Sequence, residues 1–414
     1  MTQTDRILTL DVLRGVAVMG IFSVNVIAFA MPEQAYFNPS AYGGATGASL
    51  ATWALNFILI DGKMRGLFSL LFGASTLLVI TRAEAAGLDP RRVHFTRMAW
   101  LLVFGLCHFF LLWYGDILTL YAVMGFLLWP FRNRPVRTLL YWAVGLLLVD
   151  LAAMTLFAFA FVAAEAAAHA PHATAAAVTA WNEMGHEFSI PAPDALARDL
   201  ALYRGHWTGI VAHRIHAEWN LPLIQLLLGG AETLGYMLLG MAGLKSGFLT
   251  GAWEARRYRR IAALGLAIGV PAFALLAWNG WRSGFGGAIV FVDAFAAAAP
   301  FRLAMMAAYA ALIVLLARNA GWLRDRIAAA GRAAFTNYLG ATLFASLLFD
   351  GYGLGLYGHI ERWQAWLVAP CFWAAMLAWS KAWLDRYRYG PFEWLWRSLS
   401  RWSPQPMRRA LVAA

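Results

Sequence analysis

The sequence predicts an all-α polytopic membrane protein with roughly ten transmembrane helices and cytoplasmic N- and C-termini. Three observations predict it. Hydrophobic residues make up 61% of the 414 positions and charged residues only 13%, where a soluble domain carries roughly a quarter charged. Apolar runs recur along the whole chain, each about long enough for a ~30 Å hydrocarbon core at 1.5 Å per residue. The basic residues collect between those runs rather than within them. The runs are continuous, without the alternation a barrel needs, and lipid satisfies no backbone polar group, so helices are the expected element.

In chain order the spans are expected near residues 10–30, 50–81, 98–114, 117–130, 138–162, 220–244, 261–279, 300–317, 334–350 and 363–384. With the N-terminus inside, Arg82, Arg91, Arg92 and Arg97 fall on one side with Arg132, Arg134 and Arg137. Lys245 and the Arg256, Arg257, Arg259 and Arg260 group join them, as do Arg318, Arg324, Arg326, Arg332 and the run from Lys381 to Arg409. The loop 31–49 has no Lys or Arg, as expected of an outer loop. This bias accounts for the net charge of +11 without nucleic acid and points to a bacterial inner (plasma) membrane, with membrane lipids as partners. Oligomerisation stays open.

Ala28-Phe29-Ala30 has the small-x-small form of a signal cleavage site; the charges Asp11 and Arg14 inside the first run favour a retained helix. Trp113-Tyr114-Gly115-Asp116 is a tight outer turn that makes the third and fourth spans antiparallel neighbours. Residues 163–219 form the long outer connection, where Leu196, Leu200, Tyr203, Trp207 and Ile210 recur at helical spacing and predict an amphipathic surface helix. The organisation expected is a five-helix bundle over 1–162, the connection 163–219, and a second five-helix bundle with an interfacial tail over 220–414.

Polar groups inside spans are the candidates for function. Asp11 and Arg14 share a helix face and can pair, and Asn25 continues that face three turns on; anchoring the first helix at the interface is the plain alternative. Asp61, Lys63 and Arg65, with Gly62 and Gly66 among them, interrupt the long apolar stretch 50–81, as in a broken helix lining a cavity, or as in a simple short loop. His108 lies mid-span and is a candidate base by residue type, with Asp116 eight residues on, beyond contact along a straight helix; a satisfied core histidine is the alternative. Glu232 lies early in the sixth span and is expected to pair with Lys63 or Arg65 or to be protonated. Arg332, Asn337 and Tyr338 open the ninth span, either as caps or as ligand contacts. The histidines 206, 213 and 216 lack a metal-ligand pattern, Cys107 and Cys371 lie in apolar runs, and no nucleotide loop is present.

Several of these runs resemble one family together. Arg6 with Leu10-Asp11-Val12-Leu13-Arg14-Gly15 and Asn25, Leu71-Phe72-Gly73, Gly105-Leu106-Cys107-His108, and Gly115-Asp116-Ile117-Leu118 with Tyr121-Ala122 are similar to the YeiB-like bacterial membrane proteins. So are Gly331-Arg332, Thr336-Asn337-Tyr338, Gly353-Leu354-Gly355-Leu356 and the segment Arg388-Tyr389-Gly390-Pro391-Phe392-Glu393-Trp394-Leu395-Trp396. The resemblance spans nearly the whole chain. It implies kinship with transmembrane acyltransferases of the heparan-α-glucosaminide acetyltransferase type, whose Asp-x-x-Arg-Gly start and following Asn match Asp11, Arg14, Gly15 and Asn25. Those enzymes have a His shortly after that Asn; here Tyr36 stands near that place, and no His occurs between Asn25 and His94.

The expected activity is transfer of an acyl group from an acyl-CoA-type co-substrate to a hydroxyl or amine, with no tightly bound cofactor. Asn25 would polarise the carbonyl, His108 or Asp61 would take the acceptor's proton, and Arg14 and Lys63 would orient the donor's anionic part. Arg65, Asp116, Glu232, Arg332, Asn337 and Tyr338 complete the candidate donor or substrate contacts. The competing expectation is a transporter of a small anionic or lipid-like substrate, for which the charges at 61–65 and Glu232 serve equally well.

Overall fold

A computed structural model describes residues 7–409; Arg6 lies outside them. The described chain is helical, with one isolated bridge between Tyr387 and Arg408. It runs α1 (Leu8–Ala30), a short α2 (Gln34–Phe37), α3 (Gly47–Leu59), α4 (Lys63–Ala85), α5 (Pro90–Leu111), α6 (Leu118–Phe126), α7 (Val136–Ala168), α8 (Ala175–Met184) and α9 (Pro193–Tyr203). It continues with α10 (Trp207–His216), α11 (Leu221–Lys245), α12 (Ala255–Arg282), α13 (Gly287–Phe291), α14 (Ala299–Ala317), α15 (Trp322–Arg332), α16 (Ala334–Phe349), α17 (Arg362–Arg386) and α18 (Pro391–Ser400). A π-helical turn, Val292–Ala297, joins α13 to α14.

Among the described residues eight stretches are long and apolar enough to cross a membrane, with α3 and α4 together forming one of 39 residues. The chain is a polytopic helical membrane protein. Two expected spans are shorter than a bilayer. In place of 117–130 stands α6, nine residues long, or ~14 Å, with most of its side chains buried in protein. In place of 334–350 stands α16, with 16 residues. α6 is walled by other helices, so its backbone need not meet the full lipid thickness; α16 keeps Leu343, Phe344 and Leu347 exposed.

Local chemistry sets several ends. Asp89 caps α5 by accepting the Arg91 and Arg92 amides, with Pro90 in its first turn. Glu361 and Gln364 form a capping box on α17. Gly62, at φ +70, turns the chain between α3 and α4 in a conformation few other residues adopt. Tight crossings rest on glycine. A Cβ on Gly240 of α11 would lie 1.7 Å from the Leu70 carbonyl oxygen, and one on Gly73 of α4 would lie 1.9 Å from that of Met237. A second crossing joins α1 to α15, where Gly15 meets the Ile327 carbonyl and Gly331 that of Asp11. Small residues let backbones approach where lipid supplies no hydrophobic drive between helices.

The arginine clusters gather at one end, the basic face, and bind each other's loops. Lys245 donates to the Arg132 and Arg134 carbonyls, Trp396 to that of Arg97, and Thr9 to that of Leu249. At the opposite, loop face, the Gly358 amide donates to Ala30 and Arg204 to Tyr357. The stripe over 196–210 does not form one surface helix: α9 ends at Tyr203, Gly205 interrupts it, and α10 begins at Trp207. Tyr203 stacks on Tyr357 at 4.8 Å, and Ile210 is buried in the same cluster. Tyr203 and Ile210 of the stripe therefore pack on protein, while Trp207 stays exposed. The largest core cluster unites α1, α6, α11, α16 and α17, so both halves of the chain build it.

Candidate functional site

At the height of Asn25, α1 separates two cavities. One is lined by Ile21, Phe22, Asn25 and Phe29 of α1 and by Tyr338 and Thr342 of α16. It measures about 10 Å³, room for about one water molecule. Asn25 is half-buried there, and its amide has no hydrogen-bond partner among the described residues.

Behind Thr342 lies a continuous chain of polar groups. His108 Nε2 is 2.9 Å from Thr342 Oγ1, and His108 Nδ1 is 2.8 Å from Asp116 Oδ1. All three side chains are buried. The eight-residue separation of His108 and Asp116 does not keep them apart, because α5 ends at Leu111 and the turn brings Asp116 back onto the imidazole. Asp116 also accepts the Leu118 amide at 3.1 Å and the Thr119 amide at 2.8 Å, so it serves as the cap of α6. With Asp116 as the acceptor, His108 donates from Nδ1, which leaves Nε2 to accept from the Thr342 hydroxyl; that hydroxyl is also 3.4 Å from the Tyr338 carbonyl. Tyr338 lies beside the imidazole, ring centroids 5.2 Å apart. Gly105 permits this junction, since a Cβ there would sit 2.4 Å from the Thr119 amide nitrogen.

The second cavity, about 30 Å³, lies across α1 against Val24 and Ile27, with Tyr36, Asp61, Asp293 and Arg362 among its lining. The Tyr36 hydroxyl donates to Asp61 at 3.0 Å. Next to it, Glu232 holds two guanidinium groups: Arg65 at 2.7 Å and Arg302, whose Nη1 donates to Oε1. Tyr236 donates to the same carboxylate at 3.1 Å. Lys63 is fully buried; its ammonium donates to the Phe57 carbonyl and lies over the Phe273 ring at 3.1 Å.

The remaining candidates lie elsewhere. Arg14 pairs with Asp11 at 3.3 Å and donates to Ser75 at 2.7 Å and to the Gly331 carbonyl. It locks the α1–α15 crossing at the basic end, ~16 Å below Asn25 along the helix. Arg14 and Lys63 therefore belong to different levels of the bundle. Asn337 is saturated by Ala330, Ser380 and Trp379 and ties α16 to α15 and α17. Arg332 is half-buried at the end of α15. Among the described residues no group of three metal-ligating side chains forms.

Four residues escaped the sequence reading. Arg302, four positions into an apolar helix, carried a usable signal, as an arginine inside a span. Asp293 lay in the connection between two expected spans and Arg362 at a span edge, where charges are ordinary, and a lone Thr342 gives no signal at all. Toward the loop face Asp199 receives the Tyr357 hydroxyl at 2.8 Å, and burial pushes its carboxyl up to about 6.

Residues 244–403 match the family described as "Protein of unknown function (DUF418)". The chain is 33% identical to "Uncharacterized protein YeiB" of Escherichia coli (strain K12), over 96% of each chain. It is 32% identical to "Uncharacterized protein YxaH" of Bacillus subtilis (strain 168), over 98% of this chain and 96% of the relative. A protein of Bacillus acidopullulyticus, "Uncharacterized 39.9 kDa protein in amylase 3'region", is 24% identical over 96% of this chain and 94% of its own. No solved structure matches.

Proposed function

We propose, from the premise that this chain belongs to the YeiB-like family of multi-pass bacterial membrane proteins, that it transfers acyl groups through Thr342 within the inner membrane. The observation that carries the reading is the Asp116–His108–Thr342 chain ending in the cavity that holds Asn25. A nucleophile with its base, and a base with its orienter, at hydrogen-bond distance is the pattern of an activated hydroxyl.

In the first half-reaction Thr342 Oγ attacks the carbonyl carbon of a thioester such as acyl-CoA while its proton passes to His108 Nε2. The unpaired Asn25 amide donates to the oxyanion. Collapse breaks the carbon–sulfur bond, and the thiolate takes the proton from His108. In the second half an acceptor hydroxyl or amine gives its proton to His108 and attacks the Thr342 ester. Thr342 leaves as the alkoxide and regains the proton. Asp116, held by two backbone amides, orients His108 and stabilises the imidazolium. General base catalysis supplies about 10²–10⁴-fold and a single oxyanion donor about 10²–10³-fold. The cavity must widen between α1 and α16 to admit the acyl carbon. The donor's phosphates suit the arginine-rich basic face, read as cytoplasmic.

The test is thiol release from acyl-CoAs of graded chain length by the purified protein, with alcohols and amines as acceptors. Release that falls at least ~100-fold in His108→Gln and Asn25→Ala supports the reading; no release by folded protein with any donor overturns it. The competing reading, transport of a small anionic or lipid-like substrate, draws on the buried Arg65–Glu232–Arg302 group. Substrate flux in proteoliposomes without thiol release would favour it.

A further inference from the structure

The second cavity has a chemistry the acyl-transfer reading does not use. Asp293 lines it and is buried. Its partner is neutral: the Asn279 amide donates to both carboxylate oxygens, at 3.1 and 3.0 Å. Among the described residues no cation pairs with it, in contrast to Glu232, which has two. A buried carboxylate whose direct partner is neutral favours a cation brought to it; Arg362 of the same lining is held instead by the Ala35 and Tyr42 carbonyls. The walls that meet it are aromatic, with Trp53, Phe57, Phe37 and Phe285 among them. The Trp53 and Phe285 rings meet edge to face at 4.9 Å. Aromatic faces attract an organic ammonium and disfavour a hydrated metal ion.

Two further details mark a built site. Phe285 holds a φ of +58, rare for a bulky side chain and found chiefly where surrounding contacts enforce it. Here the Asn38 amide holds its carbonyl at 2.9 Å, and its own amide donates to Gly280 at 2.9 Å. Arg362, 2% exposed, also lines the cavity. Its Nη2 is fixed to the Ala35 and Tyr42 carbonyls, while its Nε is buried without a partner. That N–H is a donor awaiting an oxygen.

We infer that this cavity, which must widen from about 30 Å³ to admit it, binds a small organic ammonium compound bearing an oxygen acceptor, of the amino-alcohol type. Its ammonium lies against Asp293 among the aromatic rings, and its oxygen accepts from Arg362 Nε. The same chemistry occurs in free amino alcohols and in phospholipid headgroups.

Isothermal titration of the purified full chain with choline and ethanolamine tests this, against 3,3-dimethylbutan-1-ol, the neutral isostere of choline. The expected result is saturable binding of an ammonium probe, at least about tenfold tighter than the isostere, with that preference lost in Asp293→Asn. Trp53→Leu, which keeps the carboxylate, is expected to weaken the ammonium about tenfold. Thermal unfolding of each variant establishes that it is folded. A parallel titration in nanodiscs with and without phosphatidylethanolamine separates the sources: competition by the lipid assigns the headgroup, and unchanged affinity assigns the free amino alcohol. No binding of either probe by folded wild type, equal affinity for the isostere, dependence on sodium alone, or a preference that survives in Asp293→Asn overturns the inference. None of these outcomes depends on thiol release.

Discussion

Replacing Glu232 with Gln removes one negative charge from between two guanidinium groups. Arg302 has 8% of its side chain exposed and Glu232 5%, so that pair is shielded from solvent. Arg65, at 34% exposure, forms the less shielded of the two pairs. Breaking a buried pair from one side costs about 3–5 kcal/mol, because the partner is left charged and unpaired. Gln retains an acceptor for the Tyr236 hydroxyl, so the loss reports the charge rather than the shape. Removing both charges, in Glu232→Gln with Arg302→Met, should recover much of it, since a buried pair and a packed apolar replacement are often near parity. The assay is reversible unfolding in mixed micelles on the two single variants and the double. We expect Glu232→Gln to lose about 3–5 kcal/mol and the cycle to show a coupling of at least ~2 kcal/mol. A loss below ~1 kcal/mol, or additive single effects, would refute the argument that this carboxylate neutralises the cluster.

Two other outcomes follow from the same structure. Burial raises the Asp199 carboxyl to about 6, above the ~3.9 of an unfolded chain. The native state therefore binds more protons between those values, and its stability falls as pH rises from ~4 through ~6. The thermal midpoint of Asp199→Asn should show a shallower pH dependence than wild type across that window, and an identical profile would remove Asp199 as a cause. A methyl on Gly331 would meet the Asp11 carbonyl oxygen at 1.9 Å, so Gly331→Ala should cost about 1–3 kcal/mol or more. Cysteine cross-linking across α1 and α15 reads whether the crossing has opened.

The helical membrane fold was legible because its causes are local: run length, low charge and the placement of arginine between runs. Lengths failed where a run is shielded by protein instead of meeting lipid. Leu118–Phe126 is apolar because it is core, and hydropathy does not distinguish the two solvents. The Asp11–Arg14–Gly15 motif was visible but its role was not. Gly15 and Gly331 face each other's helices, and the residue that Arg14 reaches, Ser75, is 61 positions away. His108 and Asp116 were each singled out, yet their contact depends on where α5 stops, a boundary that periodicity fixes poorly. Thr342 lies 234 residues beyond His108, so only the packing of α16 could reveal it. Glu232 was expected to pair with Lys63 or Arg65 or to be protonated; it meets Arg65, and Arg302, the further partner contributed by α14, required the three-dimensional arrangement.

The central claim is that Thr342 carries the acyl group. Peptide mass spectrometry after brief incubation with an acyl-CoA, without acceptor, tests it most directly. The account predicts an acyl ester on the peptide containing Thr342, formed with stoichiometric thiol release and absent in Thr342→Val and His108→Gln. Turnover that continues undiminished in Thr342→Val, with no ester on any peptide, would contradict it.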